Sequence, residues 1–544
     1  MSNSVPQLYL DFVARNPSAN FVHIPVKQAG KWHWIPMNRE DSLKQVAGFT
    51  RKLDSLGIKE GDRVAIWANT RAEWCLIDLA VLSLGAVVVG IYPTLAKDIV
   101  FEQLRDSGAS VLIVEIESQV LQWEDDFDEL DSLIHLMSIE EGEELLSVGK
   151  DLGDEDDVAW LRDQIIQRAS EDLASIIYTS GTTGKSKGVL LTHQNFTSNL
   201  ESTKEVLPLP AGSRSLVCLP LGHSLQRFVV YRAFVEDIEG YFAPSLREIA
   251  LTIQAAKPTI LIAVPRMLEK IQNKIIQQAR ERSIIALLLV RWAISTGWKV
   301  QKMRANKEVI SWKLRQRWRF LERIVVSKIR ARLGGELTQI VSGGAPLNDE
   351  TAKFFMAMGY QVIEGWGLSE TCAPATLNME GVRKIGSVGK VLSNMELKLT
   401  ESSEILIKGQ GVFSGYYGMD SEDYFQDGFF KTGDLGHIDE DGYLFITGRS
   451  KDIIVTAGGK NIAPQRIAQM VEGELIHHCI VVGDQQKYLV ALIALEEEVL
   501  QGLASERGWS GGFRDWIQEK EVQNWIKERV DGANTQLAGF EQLK

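Results

Sequence analysis

The sequence predicts an α/β protein: a large N-terminal domain of mostly parallel sheets flanked by helices over 1–447, then a small α+β domain over 448–544. Three observations carry this. Helical and strand patterns alternate through the first 120 residues, as they do when helices cover a parallel sheet. The strands among them are unbroken Val/Ile-rich runs, the pattern of strands buried on both faces. After Gly442 the pattern changes to short strands and turns with a few helices.

In order, 41–56 carries apolar residues at helical spacing, and Gly57 stands where such a helix would stop. DRVAIWA (62–68) reads as a strand, 79–84 as the end of a buried helix, 86–92 as a buried parallel strand, and 111–115 as another short strand. The apolar stretch 79–96 is interrupted by Gly85, Gly90 and Pro93, which argues for helix–turn–strand rather than a membrane span. Between 124 and 157 acidic residues dominate, the composition of a solvated surface segment. ASIIY (174–178) and GVLL (188–191) read as strands on either side of a Gly/Ser/Thr loop, with a helix beginning near Asn195. In the small domain a helix is expected near 466–475, strands at 480–482 and 489–495, and a last helix through 513–529.

The 544 residues are 45% hydrophobic and 24% charged, a globular balance that argues against disorder. A net charge of −13 opposes non-specific nucleic-acid binding, because phosphate backbones repel an acidic surface. Cys75, Cys218, Cys372 and Cys479 are scattered without metal-ligand spacing and read as buried free thiols. The N-terminus has no basic region followed by an apolar run, so a cytoplasmic protein is expected. One segment departs from the acidic average. Residues 280–332 hold fifteen Lys/Arg against Glu281, Glu308 and Glu322, interleaved with Trp292, Trp298, Trp312 and Trp318. Such a segment suits either peripheral contact with an anionic membrane or a solvated helical pair with its aromatics on the core.

The sharpest motif is YTSGTTGKSKG (178–188). Its glycines let the backbone approach a ligand closely. Thr179, Ser180, Thr182 and Thr183 supply hydroxyl donors, Lys185 and Lys187 add charge, and no acidic residue intervenes: a set suited to phosphate oxygens. TSGTTGKS also comes within one residue of the Walker A pattern, Thr179 standing where the first glycine should be. Walker A requires a helix directly after the loop; here strand–loop–strand is expected, and a P-loop NTPase is rejected.

With YTSGTTGKSKGVLLTH, six further segments stand in order: CLPLGHSLQR (218–227), PTILIAVPRMLEKI (258–271), SGGAPL (342–347), EGWGLSET (364–371), KTGDLG (431–436) and GRSKDIIVTAGGKNIAP (448–464). GIKEGDRVAIWANTRAEW (57–74) joins them. Together these resemble the adenylate-forming (AMP-binding) superfamily, specifically its long-chain fatty acid CoA ligase and acyl carrier protein synthetase branch, over nearly the whole chain.

The resemblance implies an adenylate-forming enzyme fold and a two-step reaction. A fatty acid and ATP give an acyl-adenylate, which a phosphopantetheine thiol then converts to a thioester. ATP, Mg²⁺ and CoA are the implied cofactors and co-substrates. It assigns the nucleotide to Thr179, Ser180, Gly181, Thr182, Thr183, Gly184, Gly344, Ala345, Trp366, Gly367, Ser369, Asp434 and Arg449. Lys187, Glu370 and His223 would serve catalysis, with Glu370 and Thr179 on Mg²⁺, whose preference is for hard oxygen donors. Trp366 stands where the family usually places Tyr against adenine. Asp434 matches the carboxylate that accepts both ribose hydroxyls, and Lys451 the hinge about which the small domain rotates. Gly458, Gly459 and Lys460 would lie on the thiol side. Read alone, Asp434 and Arg449 are surface charges in turns, and His223 reads equally well as a core histidine.

Ser186 replaces the family's usual proline, Ser369 a threonine and Gln226 an acidic residue. In the family a lysine in a TP-x-x-K-x-x-R-like context follows a segment like ANTQLAGFEQLK (533–544). The expectation is therefore of a chain short of that lysine, adenylating poorly while still binding ATP. Three functions compete: a CoA ligase, a ligase acting on holo-acyl carrier protein, and an adenylation-impaired nucleotide- or acyl-binding protein.

Overall fold

The computed structural model describes residues 4–123, 129–140, 147, 149, 152–179, 186–378, 384–473 and 475–544. Two large sheets dominate. The first has six strands in the order His135–Glu140, Val111–Ile116, Arg63–Trp67, Val87–Gly90, Leu173–Thr179 and Lys187–Thr192, all parallel except the last pair. The second has nine strands. Its parallel centre runs from Gln361–Trp366 through Gln339–Ser342, Ile260–Ala263, Arg214–Val217 and Glu239–Phe242 to Asn20–Gln28, with antiparallel pairs at both edges.

Most of the apolar stretch that resembled a membrane span, through Ile91, is buried core. Helix Ala72–Ser83 is buried on every side, because sheet and helices enclose it. Gly85, at φ +78°, then turns the chain into Val87–Gly90, every residue of which is buried. Among the described residues no helix is long and apolar enough to cross a membrane.

One reading of the sequence needs correction. The acidic stretch 124–157 is not all solvated surface: His135–Glu140 is an edge strand of the first sheet, with Met137 and Ile139 fully buried. Five ordinary residues, HLMSI, are diluted by their acidic surroundings in any averaging window. Residues 124–128, 141–146, 148, 150 and 151 lie outside the described residues. The basic segment divides its tryptophans between both expectations. It forms helices Ile284–Ala305, Trp312–Leu321 and Ser327–Arg332. Trp318 is buried against Gly297, where an added Cβ would fall 2.6 Å from the indole. Trp292 and Trp312 are exposed.

A third, antiparallel sheet joins Met395–Leu399, Glu404–Gly409, Phe425–Gln426, Phe429–Ile438 and Leu444–Arg449. A short turn, Ser450–Asp452, leads from it into a small unit. That unit has two antiparallel strand pairs, Ile454–Val455 with Asn461–Ile462 and Ile476–Val482 with Val490–Leu495. Helices Pro464–Val471 and Lys520–Asn534 contribute to a core of its own, which includes Ile462, Ile467, Val471, Ile476, Leu489 and Leu537.

Candidate active site

A cavity of about 1160 Å³ lies where the C-terminal ends of the large sheets face the third sheet. Thr179, Lys187, His223, Gly344, Trp366, Gly367, Ser369, Glu370, Arg449 and Lys451 all line it.

The YTSGTTGKSKG motif is framed by an antiparallel strand pair, as its flanking runs require. Leu173–Thr179 and Lys187–Thr192 pair antiparallel with Thr179 opposite Lys187, so both frame the loop between them. Ser180, Gly181, Thr182, Thr183, Gly184 and Lys185 lie outside the described residues. Lys187 Nζ donates to Tyr424 Oη at 3.0 Å and sits over the rings of Tyr424 and Tyr416, 4.4 and 5.1 Å from their centroids.

Tyr416 links that lysine to Glu370: its hydroxyl donates to Glu370 Oε1 at 2.6 Å. Burial and this carboxylate push the Tyr416 phenol far above its usual range, so it acts as a donor. Glu370 stands in a tight turn, Ser369–Thr371, directly after strand Gln361–Trp366. The turn is held by Thr371, whose hydroxyl accepts from Leu368 N at 2.8 Å. Gly367 is required there because a Cβ would lie 1.8 Å from the Ala373 carbonyl oxygen.

Trp366 lines the cavity with its indole largely buried, and Nε1 donates to Asp434 Oδ2 at 2.8 Å. Arg449, opposite Asp434 in register, places Nε 2.9 Å from Oδ1. Burial raises the Asp434 carboxyl above the ordinary range, and Arg449 and Trp366 oppose that shift. Asp434 therefore sits behind two cavity-lining side chains, with lone pairs left for further donors.

His223 ends the loop from Pro220 and caps helix Ser224–Glu236; its Nδ1 accepts from Leu225 N at 3.0 Å. Burial lowers its pKa, so the ring is neutral and carries its proton on Nε2. Tyr92 packs edge-on at 5.9 Å. The His223 loop reaches this position because Gly90 and Gly222 meet backbone to backbone: a Cβ on Gly90 would lie 3.0 Å from Gly222 Cα.

Not every expected residue converges. Ala345 faces a neighbouring cleft of about 610 Å³, shared by Arg266, Gln465, Gln469 and His477. Gly458, Gly459 and Lys460 lie exposed between the strands Ile454–Val455 and Asn461–Ile462 and do not line the cavity. Lys460 Nζ instead lies 5.9 Å from the Phe540 ring. Conversely, Tyr416 and Tyr424 were not singled out from the sequence. The only signal was three tyrosines crowded into GVFSGYYGMDSEDYF (411–425).

Residues 25–417 match the family model described as AMP-binding enzyme, and residues 451–543 match the AMP-binding enzyme C-terminal domain. The chain belongs to the AMP-binding enzyme family. Among curated relatives, this AMP-binding enzyme is 35% identical over 519 residues to the long-chain-fatty-acid–CoA ligase FadD15 of Mycobacterium bovis, covering 94% of this chain and 86% of the relative. It is 30% identical over 497 residues to the long-chain-fatty-acid–CoA ligase heimdall of Drosophila melanogaster, covering 86% and 72%. Two solved structures share the AMP-binding enzyme fold. The anthranilate CoA ligase AuaEII with anthranoyl-AMP has a TM-score of 0.73 at 19% identity, covering 100% of this chain and 93% of that one. ATP-bound MatB from Rhodopseudomonas palustris has a TM-score of 0.70 at 21% identity, covering 99% and 94%.

Proposed function

We propose that this chain is an acid–thiol ligase: it joins a fatty acid to AMP at the expense of ATP, then passes the acyl group to the thiol of CoA. The observation that carries the reading is the convergence of Lys187, Glu370 and His223 on one cavity that is also lined by Leu225, Phe228, Val229 and Ile262. A carboxylate oxygen attacks the α-phosphorus and pyrophosphate leaves. The thiol sulfur then attacks the acyl carbon, AMP leaves with the electron pair, and the thiol proton passes to solvent. Neither step needs a protein nucleophile; both need positioning and neutralised charge.

His223 Nε2–H is the donor that would orient the acyl carboxylate, and Lys187 the cation facing the phosphates. The Glu370 carboxylate and the Thr179 hydroxyl are hard oxygen donors on the same cavity, a set that fits Mg²⁺ completed by phosphate and water. Bound there, the ion would offset charge on the departing pyrophosphate. Residues 1–447 and 448–544 are the proposed moving bodies, Lys451 their hinge, and Gly458–Lys460 the segment that reaches the cavity after rotation.

The basic segment favours two additions. Ile284, Ile285, Leu288 and Trp292 form an exposed stripe at helical spacing beside Arg317, which stacks on Trp292. That arrangement suits an anionic membrane surface, and the same charge suits an acidic acyl carrier protein. A panel of free fatty acids, assayed for AMP release with CoA and with holo-acyl carrier protein, tests the reading. AMP release dependent on both acid and thiol is expected. Its absence with every acid, alongside retained ATP binding, would leave the adenylation-impaired binding protein.

A further inference from the structure

Helix Ser224–Glu236 runs along the apolar side of the cavity. Leu225, Phe228, Val229 and Arg232 line it at the i, i+3, i+4, i+7 spacing of one helical face. His223 stands at the N-terminal end of this face, and Arg232 lies nine residues farther on, ~13 Å along the axis.

An arginine is an unexpected neighbour for hydrocarbon. Arg232 is buried and paired through Nε with the buried carboxylate of Glu236. Its Nη2 donates to the Leu207 carbonyl, and the second Glu236 oxygen accepts from Leu209 N at 2.7 Å. Backbone thus clamps both partners. Beside them the hydroxyls of Thr203 and Ser215 are buried, line the cavity and have no hydrogen-bond partner among the described residues. Ser215 lies opposite Ile260 at the start of strand Ile260–Ala263, the end of the sheet away from Gly344.

We infer that the Arg232–Glu236 pair is the end wall of the acyl channel and sets the longest acyl chain accepted. The inference rests on the fatty-acid reading above. A side chain that merely filled space would yield to a longer substrate by changing rotamer. This one cannot, because displacing it strands a buried carboxylate and breaks its bond to the Leu207 carbonyl. The position of the wall, ~13 Å along the helix axis from His223, fixes where the chain-length break-point falls. Each carbon that fits should raise kcat/KM about fourfold, and each carbon beyond the wall should add nothing or subtract.

The test is the kcat/KM profile for straight-chain acids from eight to eighteen carbons, read as acyl-CoA formation. Two variants move the wall in opposite directions. The double variant Arg232→Leu, Glu236→Gln removes both charges together and keeps an acceptor for Leu209 N; Ser215→Leu fills the space before the wall. The double variant should move the break-point outward by two carbons or more and raise the ratio of sixteen- to ten-carbon activity at least tenfold. Ser215→Leu should move it inward. A break-point unchanged in Ser215→Leu, or in a double variant that retains activity, overturns the wall. A wild-type chain inactive on every acid overturns the fatty-acid reading instead. Because each readout is a ratio within one variant, a partial loss of folded protein does not mimic either result.

Discussion

The indole of Trp366 donates to Asp434 Oδ2 at 2.8 Å, while Arg449 stands 2.9 Å from the other oxygen. The aromatic face expected against adenine and the carboxylate expected on ribose are therefore one unit. Trp366→Phe keeps the face and removes the donor. A hydrogen bond to a charged group is worth ~1.5–3 kcal/mol, so ATP should bind roughly ten- to a hundredfold more weakly. Calorimetric titration with ATP checks this; unchanged affinity would show that the carboxylate is held well enough by Arg449.

Tyr416 Oη holds Glu370, and Lys187 rests on Tyr424. Tyr416→Phe leaves Glu370 without its donor and free to swing. The expected result is a loss of about tenfold in kcat, from ~1–2 kcal/mol of lost positioning, with little change in the KM for fatty acid. Steady-state kinetics at varied Mg²⁺ reads the same change as a weaker metal requirement curve.

His223 has its pKa lowered by burial, so it stays neutral below the ordinary histidine range of about 6.5. The kcat/KM profile for fatty acid should run flat from pH 8 through 6.5 and fall only at lower pH. His223→Ala should lower kcat/KM by roughly ten- to a hundredfold through loss of the Nε2–H donor. An acid limb centred at 6.5 in the wild type would contradict the neutral assignment.

Glu364 has its carboxyl pushed up to about 8 by burial and by neighbouring Asp349. The folded state therefore holds a proton that the unfolded chain releases near 4.3. Its contribution to stability is complete below the unfolded value and is lost as pH rises through 8, at up to ~1.4 kcal/mol per pH unit. Thermal midpoints between pH 5.5 and 8.5 should fall less steeply in Glu364→Gln than in the wild type. Parallel slopes would show that Glu364 does not hold a proton in the folded state.

The ordered motifs made the fold and most of the cavity readable, because each motif is a local solution to a local demand. Gly367 is needed where a Cβ would strike Ala373, and the runs ASIIY and GVLL give a hairpin whatever lies elsewhere. Contacts made across long sequence separations were not readable. Tyr416 reaches Glu370 over 46 positions and Tyr424 reaches Lys187 over 237; nothing local requires either pair. The strand His135–Glu140 escaped notice for the opposite reason, a short apolar run swamped by acidic neighbours. Arg232 carried no signal at all, since its partner Glu236 one turn away reads as an ordinary surface pair until burial is known.

On the proposed function, this one cavity holds an acyl group and an adenylate together. Titration with a non-hydrolysable acyl-adenylate analogue measures that directly, independent of either chemical step. One saturable site is expected, competed by ATP and by fatty acid, and weakened at least a hundredfold in Asp434→Ala. Binding that neither ligand competes, or that Asp434→Ala leaves intact, would contradict it.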